Sequence, residues 1–170
     1  MAAFRPLILC KSVHHGNTAK VAEAIAGPLG AETAVPQAVP CAGVQGCPLV
    51  GFGSGVYYGR MHGDLHAWLE GMPDSPGTET PAFVFSTSGL PWLAWIWHRS
   101  LRRLLARKGF RLLGEFSCGG YDTWGPLWLT GGLNRSHPDE RDLERARGFA
   151  TELSRRISSV KSPEKCTHCA

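Results

Sequence analysis

No apolar run in the 170-residue chain approaches the roughly 18 residues that a membrane span needs. The N-terminus also lacks the charged, apolar and small-residue regions of a signal peptide, because Met1 to Phe4 run directly into a strand-like segment. A soluble, cytoplasmic protein is the resulting expectation. Charge is sparse, at 19% of residues against 43% hydrophobic, which excludes a solvated, disordered chain and suits one domain with a sizeable core. Between Glu79 and Glu115 there is no acidic residue, yet that stretch holds Arg99, Arg102, Arg103, Arg107, Lys108 and Arg111. With a net charge of +4, one surface should be basic. It is either a solvated helix face or a docking face for an acidic partner, an anionic substrate or a membrane surface. Without a secretory signal, the six cysteines do not argue for disulfides, and buried or reactive thiols are expected. No repeat, low-complexity segment or interdomain linker is evident.

Short apolar runs bounded by Gly, Pro or Ser read as buried strands of a parallel sheet. They are Pro6 to Cys10, Leu49 to Gly53, Ala82 to Phe85 and Phe110 to Phe116, with a weaker one at Glu32 to Val35. Helical spacing lies between them, at Asn17 to Leu29, His62 to Gly71, Trp92 to Lys108 and Pro138 to Ser159. Residues 36 to 47 are rich in Pro and Gly and should be irregular. The alternation predicts an α/β fold, a doubly wound three-layer sandwich around a five-stranded parallel sheet. Residues 1–160 form the domain, and 161–170 read as a tail.

The first strand feeds the loop Ser12-Val13-His14-His15-Gly16-Asn17-Thr18, and a helix begins near Asn17. Ligands of parallel α/β sheets bind at the carboxyl ends of strands. A helix N-terminus offers unpaired N–H groups and partial positive charge, which favour phosphate. Gly16 allows close backbone approach, and Ser12, Asn17 and Thr18 can donate from their side chains. As turn or capping residues they would do none of this. The loop lacks the Lys that ends the nucleoside-triphosphate loop motif, and it lacks G-x-G-x-x-G. A triphosphatase and a nicotinamide-type Rossmann site are both disfavoured.

Two further strand ends add to this loop. One offers Ser54, Gly55, Val56, Tyr57 and Tyr58, and the other Ser86, Thr87, Ser88 and Gly89 with Trp92 beyond. A flat tricyclic ring needs apolar or aromatic faces and backbone groups at its polar edge. Three such loops would surround one crevice in a sheet of order 2-1-3-4-5.

On these residues the chain resembles the flavodoxin family, and within it the short single-domain flavodoxin-like proteins. The segments that carry the resemblance are SVHHGNTAKVAEAIA (Ser12 to Ala26), VGFGSGVYYGRMH (Val50 to His62), FVFSTSG (Phe83 to Gly89) and GEFSCGGYDTWGP (Gly114 to Pro126), with GGLNRSHPDERDLERARGFA (Gly131 to Ala150) in support. The resemblance implies flavin mononucleotide (FMN) as cofactor. It implies a phosphate held by Ser12, His15, Gly16, Asn17 and Thr18, and a ring between Ser54 to Tyr58 and Ser86 to Gly89. Two features depart from the family. The usual first loop reads Ser/Thr-x-Thr-Gly-x-Thr, whereas here His14 and His15 precede Gly16. These histidines could contact the phosphate or ring edge, or face solvent. Electron-carrying flavodoxins are acidic, and this chain is basic.

The remaining chemistry-bearing residues are less directed. Cys118 follows the last strand, at the site's rim or in the core. Cys166, His168 and Cys169 at the C-terminus are zinc-competent but too few to close a site within one chain. They could serve as a redox dithiol, complete a site across a homodimer, or be incidental. His62 and His66 share a helical face, with no carboxylate or thiol completing a metal set. No Ser/His/Asp triad is suggested. Trp92, Trp95 and Trp97 precede the basic helix and suit core packing, a partner interface or a peripheral membrane contact. Nucleic-acid binding is not expected.

The expected function is therefore FMN-dependent electron transfer or small-molecule redox chemistry, fed by NAD(P)H or a redox partner protein. A quinone-type reductase fits, as does a protoporphyrinogen-oxidase-like role suggested by Tyr58-Gly59-Arg60-Met61-His62. The alternative is a non-enzymatic accessory module that keeps the fold without functional flavin.

Overall fold

The computed structural model describes residues 5–13, 16–44, 46–75, 77–120 and 136–161. Among the described residues six strands form: β1 (Leu7–Lys11), β2 (Glu32–Ala34), β3 (Val50–Tyr57), β4 (Arg60–Met61), β5 (Thr80–Ser88) and β6 (Phe110–Gly119). The helices are α1 (Asn17–Leu29), α2 (Gly63–Glu70), α3 (Ala94–Trp97), α4 (Arg99–Arg107) and α5 (Glu140–Lys161). The five parallel strands run in the order β2-β1-β3-β5-β6. This is the order expected from the sequence, with β4 as an addition. That two-residue strand pairs antiparallel with the end of β3.

Side chains alternate across the sheet and build two cores. Ile8 and Cys10 of β1, Phe83 and Phe85 of β5, and Phe116 and Cys118 of β6 face α1 and α5, where Val21, Ile25, Ala146 and Leu153 meet them. Leu9, Phe52, Val84 and Phe110 face the other way, onto Leu65 and Leu69 of α2 and Leu101 and Leu105 of α4. The result is the expected three-layer sandwich.

Two β3 glycines serve this packing rather than flexibility. Gly51 and Gly53 lie in register with Phe83 and Phe85. A Cβ on Gly51 would sit 2.4 Å from the Phe83 ring, and one on Gly53 would sit 1.9 Å from the Phe85 ring. The absent side chains are the space the two rings occupy.

The segment expected as one helix from Trp92 to Lys108 forms in three pieces. A 3-10 turn at Pro91–Leu93 leads into α3, and His98 separates α3 from α4. Backbone bonds from His98 N–H to Ala94 O (2.8 Å) and from Arg102 N–H to His98 O (2.9 Å) carry the helical course through the junction. α5 starts at Glu140, two residues after the expected Pro138, because Asp139 caps it. The Asp142 N–H donates to Asp139 Oδ1 (2.9 Å), and Asp142 Oδ2 accepts from the Asp139 N–H (3.3 Å). This reciprocal pair is a capping box.

Candidate functional site

β1 delivers the first loop to the carboxyl edge of the sheet, between its two neighbours β2 and β3. Gly16 begins α1 with φ of 68°, a left-handed conformation that glycine adopts without strain. It supplies no side-chain cap, so the first turn of α1 keeps the donor character of an uncapped helix start. Asn17 and Thr18 are buried. Ser12 Oγ is buried with no hydrogen-bond partner among the described residues. His14 and His15 lie outside the described residues.

The end of β5 reaches the same place. Thr18 Oγ1 and Thr87 Oγ1 are hydrogen-bonded at 2.8 Å, which ties the helix start to the β5 loop. Next to Thr87, Ser88 Oγ is a second buried hydroxyl without a partner among the described residues. The Gly120 N–H donates to Ser88 O at 3.0 Å. A Cβ on Gly120 would meet Thr87 Cβ at 3.1 Å and Asn17 Nδ2 at 3.4 Å. Asn17, Thr18, Thr87, Ser88 and Gly120 therefore make a polar cluster at the ends of β5 and β6, and Ser12 follows β1 at the same edge of the sheet. Gly89, the next residue along β5, is half-buried.

Ser54 and Ser86 turn inward instead. Ser54 Oγ donates to Gly55 O (2.7 Å) and accepts from the His62 N–H (2.9 Å), which fastens the β3–β4 turn. Ser86 Oγ bonds Ser117 Oγ (3.1 Å) and His98 Nε2 (2.8 Å). Both serines are fully buried. Their hydroxyls brace the loops on either side of the cluster.

The β3–β4 turn carries the second part of the site. Val56 and Tyr57 are half-buried, and Gly55 leaves room for the Tyr57 hydroxyl, which would approach an added Cβ to 2.8 Å. Tyr58 and Gly59 form the two-residue turn with φ of 52° and 72°. Two positive φ values suit a type I′ hairpin, and a bulky residue at the first position is strained. The turn leaves Tyr58 83% exposed. A cleft of about 510 Å³ opens here, lined by Val13, Tyr57, Tyr58, Arg60, Met61, His62 and Gly63. Its size falls within the usual range for small-molecule sites. His62 stands edge-on to Tyr57, with ring centroids 5.3 Å apart, and its Nδ1 accepts from the Asp64 N–H (3.1 Å). Lys11 Nζ lies 2.8 Å from Asp64, and its hydrogen bond holds the Asp64 carboxyl below the usual carboxylate range, against a small opposing effect of burial.

Ser12 and Val13 join the two parts. Ser12 carries a buried hydroxyl at the end of β1, and its neighbour Val13 lines the aromatic cleft. None of Ser86 to Gly89 lines that cleft. The residues expected around a ring thus divide: Tyr57 and Tyr58 form a cleft wall, while Thr87 and Ser88 belong to the polar end. Sequence reasoning left Val13, Arg60, Met61, His62, Gly63 and Gly120 out of the site. The Tyr-Gly pair between a strand and Arg60 is the turn signal that marks Arg60 to Gly63 as neighbours of Tyr57 and Tyr58, whereas Val13 comes from the loop after β1.

The sequence suggested no triad, yet His98 connects Ser86 to Glu115. Its Nε2 faces Ser86 Oγ, and its Nδ1 lies 3.4 Å from Glu115 Oε2. The order of atoms is that of a nucleophile–base–acid relay. Ser86 and His98 are fully buried, however, so no substrate reaches the hydroxyl. Burial pushes the Glu115 carboxyl up, but the His98 hydrogen bond, with the charges of His98 and Arg102, outweighs it and leaves the carboxyl below its usual range.

Cys118 lies in the core, and burial pushes its thiol up to about 12. Cys10 is held at about 12 in the same way. His66 bonds Ser100 Oγ through Nε2 (3.0 Å), so it does not converge with His62 on a common ligand point. Cys166, His168 and Cys169 lie outside the described residues. No helix among the described residues is long and apolar enough to cross a membrane.

No protein-family model matches the chain. Among solved structures, an archaeal flavodoxin superposes with a TM-score of 0.63 at 12% identity, covering 91% of this chain and 99% of that one. Flavodoxin 2 of Bacillus cereus gives 0.65 at 16% identity, covering 89% and 99%. A WrbA-like flavodoxin of Agrobacterium tumefaciens gives 0.63 at 16% identity, covering 91% and 98%. By sequence, the uncharacterized protein MJ0298 of Methanocaldococcus jannaschii is 42% identical over 149 residues, 88% of this chain and 97% of that protein. The chain belongs to one family with the M. jannaschii protein, and its fold is that of the flavodoxins.

Proposed function

We propose that this chain is an FMN-binding flavoprotein that takes part in electron transfer or small-molecule redox chemistry. The observation that carries the reading is the pair of buried hydroxyls, Ser12 Oγ and Ser88 Oγ, that have no hydrogen-bond partner among the described residues, together with the start of α1, where Gly16 gives no side-chain cap. Buried polar groups are rarely left unsatisfied, and a ligand, an ion or an ordered water completes those that the protein does not. A phosphate accepts hydrogen bonds from hydroxyls and from the N–H groups of a helix start, which is what this edge of the sheet has to offer. The aromatic cleft begins one residue away, at Val13, so the site suits a ligand with an anionic end and a flat apolar body. The flavodoxins and the WrbA-like protein of the same fold make FMN the ligand of choice.

In this reading Ser12, Gly16, Asn17, Thr18 and Ser88 hold the phosphate. Tyr57, Tyr58 and Val13, with Arg60 and His62 on the same cleft wall, would hold the ring. The bound flavin supplies hydride or single-electron chemistry, and the residues around it tune its potential. NAD(P)H or a redox protein is the proposed donor, and a small molecule of quinone type the acceptor.

Colour is the first test. Purified protein should show flavin absorption, or acquire it when FMN is added and the excess removed. Protein that stays colourless and leaves added FMN fluorescence unchanged would overturn the reading.

A further inference from the structure

One exposed surface is explained neither by the core nor by the cleft. Leu90 follows the β5 loop, and α3 comes directly after the turn at Pro91–Leu93. Trp92 is 68% exposed and Trp95 61%, with Leu90 at 39% and Ile96 at 44%. Large apolar groups this exposed and this close together are uncommon unless something covers them. Trp97 is different. It is half-buried, and its indole lies within 4 Å of where a Gly59 Cβ would be, so it pins α3 against the β3–β4 turn.

Basic groups continue the same surface. Trp95, Arg99 and Arg103 recur every four residues along a helical course that hydrogen bonds carry through His98, so they share one face. Arg99 and Arg103 are exposed and have no carboxylate partner among the described residues. Neighbouring cations are committed instead. Arg102 meets Glu115, Arg107 meets Asp74, and Arg111 meets Glu79. The stretch from Leu90 to Arg107 contains no acidic residue to oppose them.

We propose that this face docks on an anionic lipid surface, with Leu90, Trp92, Trp95 and Ile96 entering the interface and Arg99 and Arg103 meeting the headgroups. Tryptophan favours the depth of the headgroups, where its ring is apolar and its N–H stays wet. Flanking arginines add attraction to anionic lipid. The tryptophans stand largely bare on a short helical segment, which suits a deformable bilayer. A rigid protein partner would need pockets shaped to each ring. The proposal stands apart from the flavin reading, because none of these six residues lines the cleft. Docking would nevertheless bring the cleft rim close to the lipid, since Trp97 couples α3 to the turn at Gly59.

The test is co-sedimentation of the full chain with two kinds of vesicle, phosphatidylcholine alone and phosphatidylcholine mixed with phosphatidylserine. Tryptophan fluorescence and circular dichroism are read alongside. Binding should favour the mixed vesicles, weaken with added salt, and shift the emission to the blue. Trp92→Ala with Trp95→Ala should lower partitioning about tenfold or more. Arg99→Ser and Arg103→Ser should each lower it about fivefold, and only on the anionic vesicles. All of these variants should keep the parent's circular dichroism, and the two arginine variants its FMN affinity. Absence of partitioning into either vesicle would overturn the proposal, as would binding that ignores the tryptophan substitutions. Salt-sensitive retention on immobilised polyglutamate by a chain that ignores vesicles would also overturn it, in favour of an acidic protein partner.

Discussion

Replacing Ser12 by alanine should move stability and ligand affinity in opposite directions. Ser12 Oγ is buried and has no hydrogen-bond partner among the described residues. An unsatisfied buried polar group costs about 1–3 kcal/mol. Ser12→Ala removes the hydroxyl and little else, so flavin-free protein should gain about 1 kcal/mol, at the lower end of that range. For a chain of 170 residues this corresponds to a rise in melting temperature of about 2–4 °C. A hydrogen bond to a charged group is worth about 1.5–3 kcal/mol. Loss of the contact to phosphate should therefore weaken FMN binding roughly ten- to hundredfold. Urea unfolding of the flavin-free protein measures the first effect, and fluorescence titration with FMN the second. With saturating FMN the order of stabilities should reverse, because the parent gains more from binding. If Ser12→Ala destabilises the flavin-free protein, the hydroxyl is already satisfied within the fold and the phosphate reading of the loop fails.

Other substitutions probe the supports of the site. Thr18→Val breaks the 2.8 Å bond to Thr87 and leaves a buried hydroxyl behind, so it should cost about 1–2 kcal/mol in urea unfolding. Adding Thr87→Val should recover part of that loss, whereas strictly additive losses would contradict the contact. Tyr58→Asn places the favoured Asn-Gly pair in the hairpin turn and should stabilise the fold by about 1 kcal/mol while weakening FMN binding; unchanged or lower stability would show that the tyrosine is not strained. Gly53→Ala drives a methyl group into the Phe85 ring and should destabilise by about 1–3 kcal/mol or more, read from its melting temperature. The Cys10 and Cys118 thiols stay protonated to about 12 in the folded chain. An unfolded thiol ionises near pH ~8.5. Their stabilising effect is thus complete below that pH and is lost as pH rises toward about 12. Urea midpoints across alkaline pH should fall less steeply in Cys10→Ala with Cys118→Ala, and in the native protein these two thiols should resist thiol reagents at neutral pH.

The parallel sheet was legible because its strands are continuous apolar runs closed by Gly, Pro or Ser, and α1 because both ends carry glycine signals. Its span, Asn17–Leu29, agrees with the sequence pattern residue for residue. β4 was not legible, since a strand of two residues has no periodicity to read. The β3 glycines were rightly placed in a strand, but their role was not legible. Gly51 and Gly53 answer to Phe83 and Phe85 on a neighbouring strand more than thirty positions away in sequence, and a local pattern cannot contain that contact. Serine was ambiguous in the same way. Ser12, Ser54, Ser86 and Ser88 all follow or end strands, yet only the fold decides which hydroxyls are consumed internally. His98 consumes that of Ser86, and the His62 backbone that of Ser54, while Ser12 and Ser88 have no partner among the described residues. The first loop could be read as an anion site from its position alone, whereas the cleft beside it depends on the turn at Tyr58 and Gly59.

The central claim is that the loop after β1 binds phosphate and the cleft beside it binds a ring. Comparing FMN with riboflavin tests this most directly, because the two differ only in the phosphate. Equilibrium titration of flavin-free protein, followed by quenching of flavin fluorescence, should find FMN bound at least about a hundredfold more tightly, the value of two or more charged hydrogen bonds. Equal affinities for FMN and riboflavin, or binding of neither, would contradict the account.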